Sequence, residues 1–247
     1  MLFAVPFIIS NFIQALYNVA DMIIVGQFSG TVSMSGVNIG GQITLLMTYL
    51  VIGLSSGASV LIGQYKGYGA RKELKETIGT LFTTLLALAV VMTIAMELLR
   101  NPLLRLINTP AESFSEARSY LFITMLGVVF IFGYNALSAV MRGLGDSKRP
   151  LIFVSIACGV NIVLDFVFVA GLKMGASGAA LATVISQATS MILCIIYLKR
   201  NDFIFDFKFS SFGFHKERLK MLLKIGLPTS IQNVIGTLSF MFLTAMV

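Results

Sequence analysis

The sequence is poor in charge: only 12% of its 247 residues are Asp, Glu, Lys or Arg, while 57% are apolar. Soluble domains carry about a quarter charged residues, so this composition argues against one. The few charges stand in short clusters between long apolar runs, and the mean hydropathy is +0.90. This pattern predicts a polytopic membrane protein.

Other scarcities narrow the class further. The only two cysteines, Cys158 and Cys194, both lie in apolar runs, which argues against a disulfide framework. The runs are continuously apolar and do not alternate, which excludes a membrane β-barrel. The net charge of +7 comes from basic residues at the ends of the runs, so we expect no nucleic-acid partner. The first run starts at Leu2 without a basic segment before it, so we expect no cleavable signal peptide, and the natural start of the protein stays open.

Seven runs are long enough to cross a bilayer, which takes about 20 residues. The predicted spans are 3–26, 40–62, 77–98, 119–141, 150–171, 176–198 and 225–247. Of the 18 Lys and Arg residues, fourteen fall in the even-numbered connections and four in the odd-numbered ones. The bias predicts that the N-terminus and the even-numbered connections lie in the cytoplasm, and that the protein is a multi-pass component of the plasma membrane.

A short internal repeat indicates how the spans are grouped. "VPFIISNFIQAL" (5–16) and "LPTSIQNVIGTL" (227–238) share five of twelve residues, including a proline and an asparagine. We therefore expect a second copy of the fold to begin at the seventh span, in the same orientation as the first. The predicted division is a six-helix lobe at 1–198, a cytoplasmic connector at 199–224 and the first helix of a second lobe at 225–247, with the rest of that lobe missing.

Three local features predict how the helices bend and pack. Pro6 and Pro228 lie inside spans and should kink them, Pro6 acting as a hinge. "GLSSGAS" (53–59) and "GASGAALAT" (175–183) are dense in small residues, which lets helices approach closely. "RLKMLLK" (218–224) has two readings, an amphipathic helix on the membrane surface or a solvated linker.

Polar residues inside the spans are few and lie on shared faces. Asp21 and Asp165 are the only acidic residues well inside a span, where a charge costs several kcal/mol and marks an ion or proton pathway. On the first helix, Asp21 ends a one-sided stripe with three amides: Asn11, Gln14 and Asn18. On the fifth helix, Asn161 stands one turn before Asp165. Both carboxylates lie about 8 Å below the outer ends of their spans, and Thr183 of the sixth helix reaches a similar depth.

Two carboxylates at one depth, with an amide and a hydroxyl, predict a small oxygen-rich pocket. The two charges repel each other when both are ionised, which favours binding of a proton or of Na⁺ between them. The alternative is structural, each aspartate serving only an interhelical hydrogen bond.

The same residues carry a resemblance to a known family. "QALYNVADMIIVGQ" resembles the first helix of MATE (multidrug and toxic compound extrusion) transporters, and "GLSSGASVLIGQYKGYG" resembles their second helix and the loop after it. "AVMRGLGDSKRP" resembles the loop before their fifth helix, and "GASGAALATVISQ" resembles their sixth helix. The resemblance covers the whole chain: the N-terminal lobe plus the first helix of the C-terminal lobe.

The resemblance implies a two-lobe protein of twelve helices that exports drugs or other organic, mainly cationic, compounds by alternating access. It implies coupling to H⁺ or Na⁺, no other cofactor, no enzymatic activity, a small organic substrate, the lipid bilayer as surroundings, and a monomer at full length. Its cation site carries over onto four residues: Asp21, Asn161, Asp165 and Thr183. Its substrate cavity carries over onto four more: Gln14, Asn18, Tyr120 and Asn135.

Three other interpretations can be compared with the sequence. "GLGD" (143–146) matches a motif of intramembrane aspartyl proteases, but Asp146 lies in a loop, where it is expected to cap the fifth helix. A flippase for lipid-linked glycans would need basic residues in its cavity, and no predicted span contains Lys or Arg. An inactive fragment of a transporter is the third alternative.

Overall fold

The computed structural model describes residues 4–201, 203–208 and 211–245, and this part of the chain is helical without any strand. The side chains of residues 4, 7, 11, 237, 238 and 240–245 are outside the description. Seven α-helices follow one another: α1 (Ala4–Gly67), α2 (Arg71–Leu106), α3 (Ala111–Leu126), α4 (Val128–Gly143), α5 (Lys148–Asp165), α6 (Gly175–Arg200) and α7 (Lys216–Ala245). A π-helical turn, Phe166–Gly171, extends α5. The all-α architecture is as predicted.

Helix α1 contains the first two predicted spans, joined without a loop. Its 64 residues would reach about 96 Å at 1.5 Å per residue, three times the thickness of the bilayer core. The backbone breaks at Gly30, whose φ of 81° is open to glycine and strained for other residues. Met22 and Asn38, sixteen residues apart, are brought within 4.0 Å (Sδ to Nδ2), so the two arms fold against each other. The turn between the first two predicted spans is made at one glycine, and the residues on both sides of it are helical.

The fourth predicted span is two helices and not one. Helices α3 and α4 meet at Gly127 with a bend of 51°. A Cβ on Gly127 would come within 2.9 Å of Cβ of Val184, so only glycine lets α6 pack against the bend. Tyr120 and Asn135, both expected on one fourth helix, therefore stand on different helices, α3 and α4.

In the described part of the chain, four helical segments are long and apolar enough to cross a membrane, or five if the bent pair is one span. They are residues 8–67 within α1, α2, α5 with its π-turn, and α6, with α3 and α4 together as the fifth. The two arms of α1 account for two predicted spans. The seventh span, at 225–247, extends beyond the described residues and stays a prediction.

Helix α7 packs closely on the second arm of α1 through small residues. Ser230 donates its hydroxyl to the carbonyl of Leu50 at 2.9 Å, and a Cβ on Gly57 would come within 2.7 Å of the amide nitrogen of Gly226. The close approach predicted from "GLSSGAS" is confirmed here. Residues 218–224 form the first turns of α7, so they are neither a separate surface helix nor a linker. Pro228 lies inside the same helix.

The basic connections predicted to share one side do lie together. Lys66, after α1, donates to the carbonyl of Leu144, after α4, at 2.6 Å. Arg218, at the start of α7, pairs with Glu76 near the start of α2 at 3.0 Å. These contacts place the loops after α1 and α4 and the start of α7 at one end of the bundle.

Asp146 caps α5, as predicted. Its Oδ1 accepts the backbone N–H of Arg149 at 3.1 Å, and its Oδ2 accepts the hydroxyl of Tyr197 at 3.2 Å. Both oxygens are thus occupied in helix capping and packing. The geometry gives no support to an aspartyl protease pair.

Candidate functional site

The polar stripe of the first helix faces a cavity of about 300 Å³. Gln14, Asn18 and Asp21 all line it, spaced three or four residues apart along the first arm of α1. Asp21 is only 5% exposed, so its carboxyl is set into the wall and touches the cavity from one side. Asn11, at the start of the predicted stripe, is outside the described side chains. The stripe thus serves a cavity, as its one-sidedness predicts.

Behind that wall lies the second carboxyl. Asp165, the last residue of α5, is completely buried and lies next to Asp21, close enough for the two carboxyls to interact directly. Asn161, one turn earlier on α5, is also completely buried. The backbone changes from α-helical to π-helical immediately after Asp165, a local widening that is common at functional sites.

Thr183 completes the predicted group from α6. It is 6% exposed, lines the cavity, and lies beside the hydroxyls of Tyr17 and Tyr120. Helix α6 approaches closely because small residues fill the turns before Thr183, where Ala179 and Ala180 are completely buried. The close packing predicted from "GASGAALAT" is thereby confirmed.

Glu116 of α3 fixes the start of α6. Its Oε2 accepts the backbone N–H of Ala176 at 2.8 Å, which satisfies one of the free donors at a helix N-terminus. A Cβ on Gly175 would come within 2.8 Å of the same oxygen. This contact attaches the N-terminus of α6 to α3, about two turns before Thr183.

The predicted cation-site residues hold an unusual set of unpaired buried atoms. In the described part of the chain, these atoms have no hydrogen-bond partner of good geometry: Oδ1 of Asp21, Oδ1 and Nδ2 of Asn161, both carboxyl oxygens of Asp165, and Oγ1 of Thr183. Buried polar groups are normally paired, and leaving one unpaired costs about 1–3 kcal/mol. Such a cluster is costly in an apolar bundle unless a proton or a cation binds there.

The donor set fits a small monovalent ligand. Asp21, Asn161, Asp165 and Thr183 offer oxygen atoms and no thiol or imidazole, the ligand type of hard cations. Among the described residues, no group of three or more His, Cys, Asp or Glu side chains could hold a metal ion. Two carboxyls with an amide and a hydroxyl are groups to which a proton or a hard cation such as Na⁺ can bind.

Tyr120 and Asn135, the other two predicted cavity residues, both line the cavity from their separate helices. A Cβ on Gly40 would come within 3.2 Å of Cγ of Tyr120, so glycine lets the second arm of α1 lie against this ring. Asn135 donates its amide to the carbonyl of Ile131 at 2.8 Å. The bend at Gly127 is what aims both side chains into the same space.

Several polar cavity residues were not predicted: Tyr17, Asn38, Gln42, Thr44, Tyr134 and Gln187. Gln42 donates to Oδ1 of Asn38 at 2.6 Å, a pair one helical turn apart. The i, i+4 spacing of Asn38 and Gln42 was a usable signal, as was Tyr17 four residues before Asp21. Because the predicted second span begins at residue 40, Asn38 fell outside it and the first of these signals was not used.

Pro6 stands in the first turn of the described part of α1, and the backbone break in that helix is at Gly30. The carbonyl of Pro6 accepts the hydroxyl of Ser10 at 2.8 Å. Its hinge role stays a prediction.

The cavity has an acidic and amide character. Among its described lining residues are one aspartate and several amides and hydroxyls, but neither Lys nor Arg. Aromatic and apolar side chains, including Tyr120 and Ile131, make up the rest. The described lining therefore offers hydrogen-bonding groups and one carboxyl, but no basic side chain that would pair with a phosphate.

Comparisons with known proteins identify the family of the chain. The MatE family model matches residues 6–167. The chain is 30% identical over 248 residues to "Probable multidrug resistance protein YpnP" of Bacillus subtilis (strain 168), covering 100% of this chain and 55% of the relative. It is 30% identical over 251 residues to "Probable multidrug resistance protein NorM" of Thermotoga maritima, covering 96% of this chain and 52% of the relative.

Solved structures show the same likeness. An outward-facing multidrug resistance MATE transporter matches with a TM-score of 0.87 at 28% identity, over 98% of this chain and 53% of the transporter. An inward-facing one matches with a TM-score of 0.86 at 28% identity, over 93% and 52%. The chain thus spans about half the length of the proteins it matches.

Proposed function

The chain belongs to the MATE family of multi-pass membrane transporters and corresponds to the N-terminal half of one, and we propose that the complete protein is a cation-coupled antiporter. It exports organic, mainly cationic, compounds in exchange for H⁺ or Na⁺, working by alternating access of two lobes. It acts as a monomer in the plasma membrane, with its N-terminus in the cytoplasm.

One observation carries this proposal: Asp21 joins the cavity to a completely buried acid. Its carboxyl lines the cavity where a substrate would bind, and it lies next to Asp165, which has no exposure of its own. A cation that binds between the two carboxyls changes the charge of the cavity wall. Binding of a cation and release of a cationic substrate are therefore coupled through one shared pair of side chains.

The steps follow from this arrangement. In the outward-facing state, the site loads H⁺ or Na⁺, which removes the repulsion between the two carboxylates. The neutralised wall holds a cationic substrate less strongly, and the first helix bends at Pro6, so the cavity narrows and the substrate leaves. Release of the cation to the cytoplasm restores the charge and the affinity for the next substrate.

The glycan flippase alternative has less support. Its phosphate-bearing substrate would need basic side chains in the cavity, and the described lining has none. Two of the relatives are named as probable multidrug resistance proteins. Export of organic cations fits the carboxyl in the cavity wall better than export of a phosphate-bearing glycan does.

The test is export by Asp165→Asn in the complete transporter. The complete protein is reconstituted in vesicles with a fluorescent organic cation, and efflux is followed after a pH or a Na⁺ gradient is imposed separately. Asp165→Asn keeps the shape of the side chain but cannot release a proton or bind a cation by charge, so gradient-driven efflux should fall to the background of empty vesicles. The gradient that drives the wild type identifies the coupling ion.

Asp206→Asn is the matched control, because it makes the same chemical change on the exposed connector. It should transport like the wild type. Near-normal gradient-driven efflux by Asp165→Asn would overturn the coupling proposal and leave Asp165 a structural residue.

Orientation has its own test. Tyr68, 83% exposed after α1, and Leu106, 78% exposed at the end of α2, lie on opposite sides of the membrane in the proposed topology. A membrane-impermeant thiol reagent added to intact cells should label Leu106→Cys and not Tyr68→Cys. The reverse result would contradict a cytoplasmic N-terminus.

A further inference from the structure

A second cavity lies on the side of α4 that faces away from the first. It is an apolar groove of about 240 Å³ between α2, α4 and α6. On α4, the first cavity takes Ile131 and Asn135, whereas the groove takes Phe132, Gly133 and Ala136. At 3.6 residues per turn, these two sets lie on nearly opposite faces of the helix. The groove is therefore separated from the proposed transport path by the full width of α4.

The groove opens among side chains that face the bilayer. Leu86 on its edge is 51% exposed, and Val90 and Ile192, on the same stretches of α2 and α6, are each 52% exposed. All of the described residues that line the groove are apolar, without a single charged or hydrogen-bonding side chain. In a membrane, the medium that reaches such an opening is the hydrocarbon of the lipids.

The connector between α6 and α7 closes the groove at one end. Phe207 and Phe212 line it and pack on the ring of Phe82, with centroid distances of 6.0 and 6.1 Å. The backbone N–H of His215 donates to Oγ1 of Thr80 on α2 at 3.2 Å, which ties this aromatic roof to the helix. The groove thus runs along the bundle from a fixed aromatic roof toward the middle of the bilayer.

Charge around the roof indicates the kind of lipid. Residues 199–224 contain seven Lys and Arg against three Asp and Glu. The side chain of Lys208, the residue after Phe207 in the roof, is 75% exposed, and its ammonium lies 3.6 Å from the carboxylate of Asp206. A surplus of positive charge at the membrane surface attracts anionic headgroups.

From these observations we infer that the groove binds one acyl chain of an anionic phospholipid, whose headgroup lies beside the basic connector. The chain fills an apolar space that water would wet poorly, and the headgroup meets the surplus positive charge. The bound lipid packs beneath Phe207 and Phe212 and so holds the connector against α2. This inference requires only that the helices lie in a lipid bilayer, and it does not require that the antiport mechanism is correct.

The test uses a phosphatidylglycerol with a photoreactive diazirine in the middle of one acyl chain. The complete transporter is placed in nanodiscs that contain this lipid, irradiated, digested and mapped by mass spectrometry. We expect labelling of the peptides that carry residues 82–89 and 129–137 to exceed labelling of the exposed face at residues 90–98. Equal labelling of the two would show ordinary surrounding lipid and would overturn the inference.

Two alanines of α2 give a matched pair of variants. Ala89 is 1% exposed and lines the groove, whereas Ala87 is exposed and does not line it. Ala89→Phe fills the groove and should lower groove labelling severalfold, while Ala87→Phe should leave it unchanged. Equal loss in both variants would contradict a specific site. If Ala89→Phe does not elute as a folded protein, the smaller Ala89→Leu replaces it.

Two further experiments test the preference for an anionic headgroup and the independence of the groove from the acid pair. A photoreactive phosphatidylcholine should label the groove less than phosphatidylglycerol does, and equal labelling would refute the preference for an anionic headgroup. Asp165→Asn should label like the wild type, because the groove does not touch the acid pair. Loss of groove labelling with intact transport, or the opposite, therefore shows which of the two proposals fails.

Discussion

Helix α4 separates two cavities that differ in almost every respect. The cavity on one face is lined by amides, hydroxyls and the carboxyl of Asp21, and it borders buried polar atoms without partners. The groove on the other face is lined by apolar side chains throughout its described part and is closed by the rings of Phe207 and Phe212. Adjacent residues, Asn135 and Ala136, belong to different sides.

The two cavities differ in how their lining residues affect the stability of the protein in a membrane. Unpaired polar atoms such as those of Asp165 and Asn161 destabilise an apolar bundle, so their presence calls for a ligand that pairs them. Apolar side chains around the groove cost nothing in a membrane, so their function is much harder to infer from sequence. A polar cavity in a membrane protein can be recognised from the sequence, because its buried polar residues are energetically unfavourable there. An apolar groove can be recognised only from the folded structure.

The largest expected effect lies in the acid pair. Asp21→Asn should abolish gradient-driven efflux as Asp165→Asn does, because either change removes a charge from a site that two carboxyls share. The double variant should be little worse than either single variant, since the two residues act as one unit. Efflux rates of the four proteins in the same vesicles measure this coupling. Fully additive losses would show two independent residues and would break the picture of one site.

A second, smaller effect is expected at Asn135 and Ala136, the adjacent residues of α4 that line different cavities. Ala136→Asn places an amide into the apolar groove side, where Ala136 is 1% exposed, and should destabilise the protein by about 1–3 kcal/mol. Asn135→Ala loses only a bond to the carbonyl of Ile131, so it should cost under about 1 kcal/mol. Its effect should instead be on transport, because Asn135 lines the cavity.

Thermal stability in detergent and efflux, measured on both variants, check this pair. The expected result is a crossed one: Ala136→Asn is less stable with a normal rate per folded molecule, and Asn135→Ala is stable with altered transport. Equal effects of the two substitutions on both readouts would mean that α4 does not divide the molecule as described.

Much of the site could be predicted from the sequence, because carboxyl and amide side chains inside a membrane span are energetically unfavourable and therefore rare. Asp21 and Asp165 stand out in apolar runs, and a rise of 1.5 Å per residue places them at one depth. The structure brings Asp21 and Asp165 together, sets Thr183 on the same cavity wall as Asp21, and buries Asn161 one turn before Asp165. The stripe of Gln14 and Asn18 follows the 3.6-residue period and faces a cavity, as expected.

The missed features depend on packing between helices. At the bend between α3 and α4, Gly127 packs against Val184, a residue 57 positions further along the chain. The turn at Gly30 inside α1 carries no proline or charge cluster to mark it. The groove needs the connector to fold back onto Phe82, a contact that neither hydropathy nor periodicity encodes.

A third prediction concerns the roof of the groove. Arg218 donates to Glu76 at 3.0 Å and to the hydroxyl of Tyr65 at 3.0 Å, and it is 14% exposed. Arg218→Gln should weaken the attachment of α7 and the connector to α2 by about 1 kcal/mol, the scale of a partly exposed ion pair. Hydrogen exchange at residues 203–218 should quicken, while substrate affinity in the cavity stays unchanged.

Lys173→Gln is the control for that prediction, because this lysine is exposed in the turn before α6 and does not belong to the connector. It should leave exchange as in the wild type. If Arg218→Gln alters substrate affinity as strongly as exchange, the connector and the cavity are not separate regions.

The smallest expected effect lies in the connector turn at Asp206. The hydroxyl of Ser211 donates to this carboxylate and holds the pKa of Asp206 below its usual value. A pKa that is lowered by folding stabilises the turn above the unfolded pKa, about 3.9, and this stabilisation is lost as the pH falls through the folded pKa. Ser211→Ala should therefore raise the pKa of Asp206 toward its usual value and destabilise the turn slightly at neutral pH. The carboxyl ¹³C shift of Asp206, assigned with Asp206→Asn, measures the titration between about pH 2 and pH 6.

Ser155→Ala, on α5, is the control and should leave the titration unchanged. An unchanged pKa in Ser211→Ala would mean that this hydrogen bond does not fix the turn. Because Asp206 is far along the chain from the acid pair and exposed, neither result should alter efflux near neutral pH, which separates the connector from the cavity once more.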